Sequence, residues 1–185
     1  MDLNIIIQIH FYFNMPRIPI DKIHMQIAYQ IAKLSYAERR KVGCIIVKDG
    51  QIISVGYNGT PHGFENECEE IETKYYDNPD VAAVLEDTGW TMNHDNSCSC
   101  HRKVTKREVL HAESNAITKL AKSTISSVGT TLYTTTMPCF ECSKLIIQAG
   151  ISEVRYCEEY RDTSGVELLK KAGIPVYQDI VWNNE

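Results

Sequence analysis

Two short stretches carry the groups capable of chemistry: His111-Ala112-Glu113-Ser114, and further on Pro138-Cys139-Phe140-Glu141-Cys142. One imidazole and two thiolates make three protein ligands for zinc with a fourth position vacant, the arrangement of a catalytic metal rather than a closed structural one. His111, Cys139 and Cys142 are those ligands, and each group stands at the start of a predicted helix. There the unpaired N–H groups and the positive end of the helix dipole stabilise thiolates. Pro138 suits such an entry because it cannot continue the preceding strand, and Cys139 and Cys142, three apart on a helix, face one side. An open zinc position lowers the pKa of a water to about 7 and supplies hydroxide as a nucleophile. Glu113, two residues after His111, is the group to take that proton and deliver it to a substrate nitrogen. A Cys-x-x-Cys alone is often half of a structural zinc site, and a His-x-Glu alone a solvated helix start. Together, with the proline and without a close fourth ligand, they favour a hydrolytic centre.

These groups need a scaffold. A chain of 185 residues with 43% hydrophobic content fills one core. Its net charge of −5 and pI near 5.7 provide no basic field for a long nucleic acid, although a local basic loop can still bind one phosphate. Seven cysteines without a secretory signal fit a reducing cytoplasm, that of the host if the chain is viral. The apolar runs in residues 1–14 are too short for a bilayer, so no membrane partner is expected; residues 1–14 read as a tail or an edge strand within an N-terminal extension over 1–19. Ile23, Ile27, Ile31 and Leu34 mark one face of a helix over 21–35, with Asp21 as its cap. The β-branched runs on either side of Asp49-Gly50 predict a hairpin. Residues 59–108 read as an irregular insertion with one helical segment near 79–87. After it, helix and strand alternate to the end of a single catalytic domain over 20–180. The expected architecture is a three-layer α/β/α domain around a mixed five-stranded sheet.

The His-x-Glu and Pro-Cys-x-x-Cys pair resembles the signature of the zinc-dependent cytidine deaminase superfamily. Within it, "VGCIIVKDGQIISVGYNGTPHG", "HAESNAI" and "PCFECSKLIIQAGI" resemble deoxycytidylate (dCMP) deaminases, phage ones included, over 20–177. "GYNGTP" and "CSKLIIQAGI" separate that family from deaminases of free cytidine, tRNA adenosine and polynucleotides. The resemblance implies that dCMP and water give dUMP and ammonia, a supply for thymidylate synthesis. It implies that Asn58 holds the sugar and Tyr160 stacks on the base; a turn role for Asn58 is the other reading. A nucleotide needs a phosphate site, for which Arg39, Arg40 and Lys41 in "ERRKVG" and Arg161 beside Tyr160 are candidates, at least one loop residue being merely solvated.

The stretch Gly56, Tyr57, Asn58, Gly59, Thr60 and Gly63 resembles the family's effector motif. The resemblance implies activation by dCTP with Mg²⁺, inhibition by dTTP and a homohexamer. The bland reading of the same stretch is a glycine-rich turn. Cys68, His94, Cys98, Cys100 and His101 are candidates for a second, structural Zn²⁺ like that of related phage enzymes, with free cysteines as the other reading. Two alternatives stay open. One is a deaminase of dCTP, cytosine or a riboflavin precursor; the other is an idle zinc-binding module, which Glu113 argues against.

Overall fold

The computed structural model describes residues 17–75, 89–93 and 99–179. The elements are α1 (Ile20–Ala32), β1 (Gly43–Lys48), β2 (Gln51–Tyr57), β3 (Glu69–Tyr75), β4 (Thr91–Met92), β5 (Ser99–Thr105), α2 (Ala112–Leu120), β6 (Thr131–Thr136), α3 (Phe140–Gln148), β7 (Glu153–Glu158), α4 (Ser164–Lys171) and β8 (Val176–Gln178). The tail over 1–14 and the helix expected near 79–87 lie outside the described residues.

The hairpin forms where the sequence places it. Asp49 (φ 49°) and Gly50 (φ 77°) both take positive φ, which a two-residue turn between right-twisted strands requires. β1 then runs antiparallel to β2 on one side and to β6 on the other. β6, β7 and β8 are parallel, joined by the crossovers α3 and α4, so the sheet order is β2-β1-β6-β7-β8. Strand alternation splits the core in two. Cys44, Ile46, Leu132 and Val154 face Ala112, Ala116, Ile146 and Leu169 of α2, α3 and α4. Ile45, Val47 and Tyr133 face Met25 and Ala28 of α1 on the other side. Each large apolar side chain buried this way contributes about 1.5–3 kcal/mol, which is what closes the three layers.

The face that α1 buries is not the isoleucine stripe. His24, Met25, Ala28 and Ala32 are buried, Ile27 and Ile31 only flank the core, and Leu34 is 54% exposed beyond the helix end. A Cβ on Gly43 would lie 2.0 Å from Ala28 O and 2.5 Å from Ala32 N. The helix is therefore so close to β1 that alanine-sized residues must occupy the contact, and this turns the larger isoleucines aside. Asp21 is not the cap either. Pro19 precedes the helix, and Asp21 accepts a 2.6 Å hydrogen bond from the Tyr133 hydroxyl and pairs with Arg155 at 3.4 Å.

Within 59–108 the described residues include a second sheet, β3-β5-β4, where the sequence suggested irregular chain. β3 and β5 pair from Glu69↔Thr105 to Tyr75↔Ser99. Among the described residues its core is Trp90, Met92 and Cys100, with Lys74 Nζ 4.6 Å and Arg102 Cζ 4.5 Å from the Trp90 ring centre. A sheet with so small an apolar face, cross-linked by charges such as Arg102–Glu72 at 2.8 Å, shows no period-2 hydrophobic signal in its sequence. No helix among the described residues is long and apolar enough to cross a membrane.

Candidate active site

α2 and α3 lie on one face of the five-stranded sheet and begin at the same end of it. His111 and Cys139 are their N-cap residues, both extended (φ −72°, ψ 156° and φ −72°, ψ 169°), which directs each side chain across the gap between the two helix starts. Cys142, one turn into α3, faces back towards it. The three ligand atoms all lie within 4.8 Å of one another. His111 Nδ1 is 3.4 Å from Cys139 Sγ and 3.5 Å from Cys142 Sγ.

Several contacts hold α2 down on the hairpin. The Ser54 hydroxyl donates to Ala116 O at 2.7 Å, and Gly56 faces the helix so closely that a Cβ there would be 2.1 Å from Ala112 O.

The electrostatics suit a cation. The hydrogen bond from Cys142, with help from His111, pulls the Cys139 thiol down to about 4, whereas the same bond and burial hold Cys142 well above its ordinary value. His111 is raised by its bond to Cys139. One thiolate is thus ready at neutral pH and a second proton is displaced on binding, the donor set that fits zinc. Glu113 is buried beside them, 3.6 Å from Cys142 Sγ, and burial pushes its carboxyl up to about 7.

A cavity of about 490 Å³ opens over this group. It brings together His111, Cys139 and Glu113 with Asn58, Tyr160, Arg161, Arg39 and Arg40. Lys41 is exposed and does not line it, nor do Gly56, Tyr57, Gly59, Thr60 and Gly63. Asn58 reaches the wall with its amide already engaged: Oδ1 accepts from Val42 N–H at 2.8 Å and Nδ2 donates to Arg40 O at 2.9 Å. Gly56 packs against the backbone of α2. Tyr57 O accepts from Asn115 Nδ2, and the Thr60 hydroxyl donates to Glu65 O. The sequence reading missed Glu69, Thr105, Val109, Thr136, Met137 and Glu159 in the lining. Of these Thr136 and Met137 carried a local signal, standing just before Pro138, and Glu159 stood beside Tyr160.

The candidates for a second metal do not converge among the described residues. Cys68 and Cys100 belong to opposite ends of the β3–β5 ladder, about 20 Å apart at the usual rise per residue. Cys100 and His101, adjacent on a strand, point to opposite faces, and Cys100 is in the small core. His94 and Cys98 lie outside the described residues. The one group of metal-capable side chains among the described residues is His111, Cys139 and Cys142.

Residues 19–158 match the cytidine and deoxycytidylate deaminase zinc-binding region. This chain belongs to that deaminase family. The deoxycytidylate deaminase of Enterobacteria phage T4 is 34% identical over 180 residues, covering 83% of this chain and 86% of its own length. The crystal structure of the dCMP deaminase from cyanophage S-TIM5, in complex with dCMP and dUMP, superposes with a TM-score of 0.67 at 36% identity, covering 89% of this chain and all of that one. A Thermotoga maritima diaminohydroxyphosphoribosylaminopyrimidine deaminase/reductase, at 24% identity and a TM-score of 0.56 over 88% of this chain and 37% of its own, shares the fold alone. The matched region contains His111, Cys139 and Cys142, whose ligand atoms lie together, and the idle-module alternative loses its ground.

Proposed function

We propose that this deaminase converts dCMP and water into dUMP and ammonia. The observation that carries the reading is one cavity lined by His111, Cys139 and buried Glu113 together with three arginines, Arg39, Arg40 and Arg161. A pyrimidine reaching Glu113 leaves a 5′-phosphate near those cations, which suits a monophosphate in an otherwise acidic protein. The T4 relative and the S-TIM5 complex support the same substrate.

Zinc held by His111, Cys139 and Cys142 supplies the acidity that makes a water nucleophilic near neutral pH. The remaining steps belong to the chain. Glu113 takes the water's proton on a carboxylate oxygen and passes it to ring N3 as oxygen adds to C4. It then takes the proton of the new C4 hydroxyl and gives it to the departing amine, so that the C–N bond breaks, ammonia leaves and the ring carbonyl forms. Tyr160, 41% exposed at the mouth, offers its ring to the base, and Arg40 stands 5.8 Å from that ring. Burial of Glu113 keeps bulk water from competing for the proton.

The dUMP produced is a feed for thymidylate synthesis. Regulation by dCTP with Mg²⁺ and by dTTP in a hexamer is carried by the resemblance of the Gly56–Gly63 stretch. The described structure leaves Gly59, Thr60 and Gly63 outside the substrate cavity, so an effector there need not displace dCMP. The deciding experiment is a panel of dCMP, dCTP, deoxycytidine, cytosine and a riboflavin precursor with zinc-loaded enzyme, run with and without each triphosphate. Turnover of dCMP well above the rest, sigmoidal alone and hyperbolic with dCTP, is expected. Preference for another member of the panel would replace the substrate assignment, and unchanged hyperbolic kinetics would remove the regulatory one.

A further inference from the structure

The loop that carries Arg39 and Arg40 lines the cavity and has no regular structure of its own. It is held from two directions. From the hairpin side, Asn58 bonds Val42 N–H and Arg40 O. From the other side the inserted sheet reaches across. Glu69, at the first position of β3 and 8% exposed, accepts the Glu38 N–H at 3.1 Å and the Arg39 N–H at 3.2 Å on one oxygen. Thr105, its partner on β5, accepts from Arg39 Nη1 at 3.2 Å, and Lys103 on the same strand pairs with Glu38. Both Glu69 and Thr105 line the cavity.

We propose that Glu69 is a positioning residue for phosphate recognition: its carboxylate fixes the backbone of residues 38 and 39, and through it the direction of Arg39 and Arg40 into the cavity. The inserted sheet then has a function in substrate choice, since it supplies the acceptor that shapes the basic wall. A carboxylate placed among arginines that must attract an anion is electrostatically costly in the wrong direction. It belongs there because two adjacent amide N–H groups on an irregular loop need a strong acceptor, and charge-assisted bonds of this kind are among the strongest available. Without it the arginines must be ordered by the ligand, and that entropy is subtracted from phosphate affinity. The proposal rests on the monophosphate reading above.

The test is calorimetric binding of dUMP and of deoxyuridine to the zinc-loaded wild type, Glu69→Ala and Glu69→Gln. Wild type must first prefer dUMP; equal affinity for the two would overturn the monophosphate reading itself. Given that preference, Glu69→Ala is expected to reduce it about tenfold. Glu69→Gln keeps an acceptor oxygen while losing the charge, and is expected to hold the preference within about threefold of wild type. A general loss of structure would weaken both ligands alike. The proposal is overturned if Glu69→Ala leaves the preference unchanged, if it weakens dUMP and deoxyuridine by the same factor, or if the glutamine variant is no better than alanine. Should Glu69→Ala not fold, Glu69→Gln and Thr105→Val decide the matter. Loss of the dUMP preference in Thr105→Val with retention in Glu69→Gln supports the clamp, and retention in both overturns it.

Discussion

Gly56→Ala puts a methyl group 2.1 Å from Ala112 O and 2.6 Å from Ala116 N, on the side of β2 where α2 is seated. Both atoms are backbone, so no flexible side chain can yield. Restoring an ordinary contact requires α2 to retreat by about 1 Å at its first turn. Overpacking of this kind costs about 1–3 kcal/mol. In a domain of this size that is a fall of about 2–12 °C in melting temperature. The functional loss should be larger than the stability loss, because the first turn of α2 follows His111 and contains Glu113. A displacement of about 1 Å in a catalytic group costs on the order of 100-fold in turnover. Calorimetric melting, zinc affinity and kcat on dCMP measure the three consequences. Gly43→Ala is the comparison, since its methyl would meet Ala28 O at 2.0 Å and push α1, which carries no zinc ligand. It should lose a similar melting temperature while keeping zinc affinity within about threefold. If Gly56→Ala melts within about 1 °C of wild type and turns over at a normal rate, α2 is not positioned by its contact with β2, and this account of the site's geometry is wrong.

Glu113→Gln should retain zinc and bind dCMP but lose about 10²–10⁴ in kcat, and near-normal turnover would rule out Glu113 as the proton carrier. Cys142→Ser should lower zinc affinity sharply, seen as less than one zinc per chain after dialysis against a weak chelator; full retention would remove Cys142 from the ligand set. Arg161→Ala should raise KM for dCMP about tenfold while changing that for deoxycytidine much less, and equal effects would take Arg161 out of the phosphate contacts.

The residues of the zinc group were legible because their chemistry is local. A histidine before one helix, a glutamate in that helix's first turn and a Pro-Cys-x-x-Cys opening the next are written in short spacing, and helix starts are where such groups gather. The hairpin was legible for the same reason: Asp49-Gly50 states the turn and the β-branched runs state the strands. What the sequence could not tell was decided by approach distances between distant segments. Gly43 and Gly56 let α1 and α2 pack closely on β1 and β2, and this is why Ala28 and Ala32, rather than the isoleucine stripe, form the buried face of α1. The sheet inside 59–108 stayed hidden because its core among the described residues is small and its ladder is mostly polar. Glu69 was hidden by the same cause. In sequence it is one acid in a run of acids, and it becomes a wall of the cavity only because the inserted sheet folds back upon a loop thirty residues earlier. Local spacing dictates which atoms can hold a metal; the long-range packing of backbone on backbone decides what surrounds it.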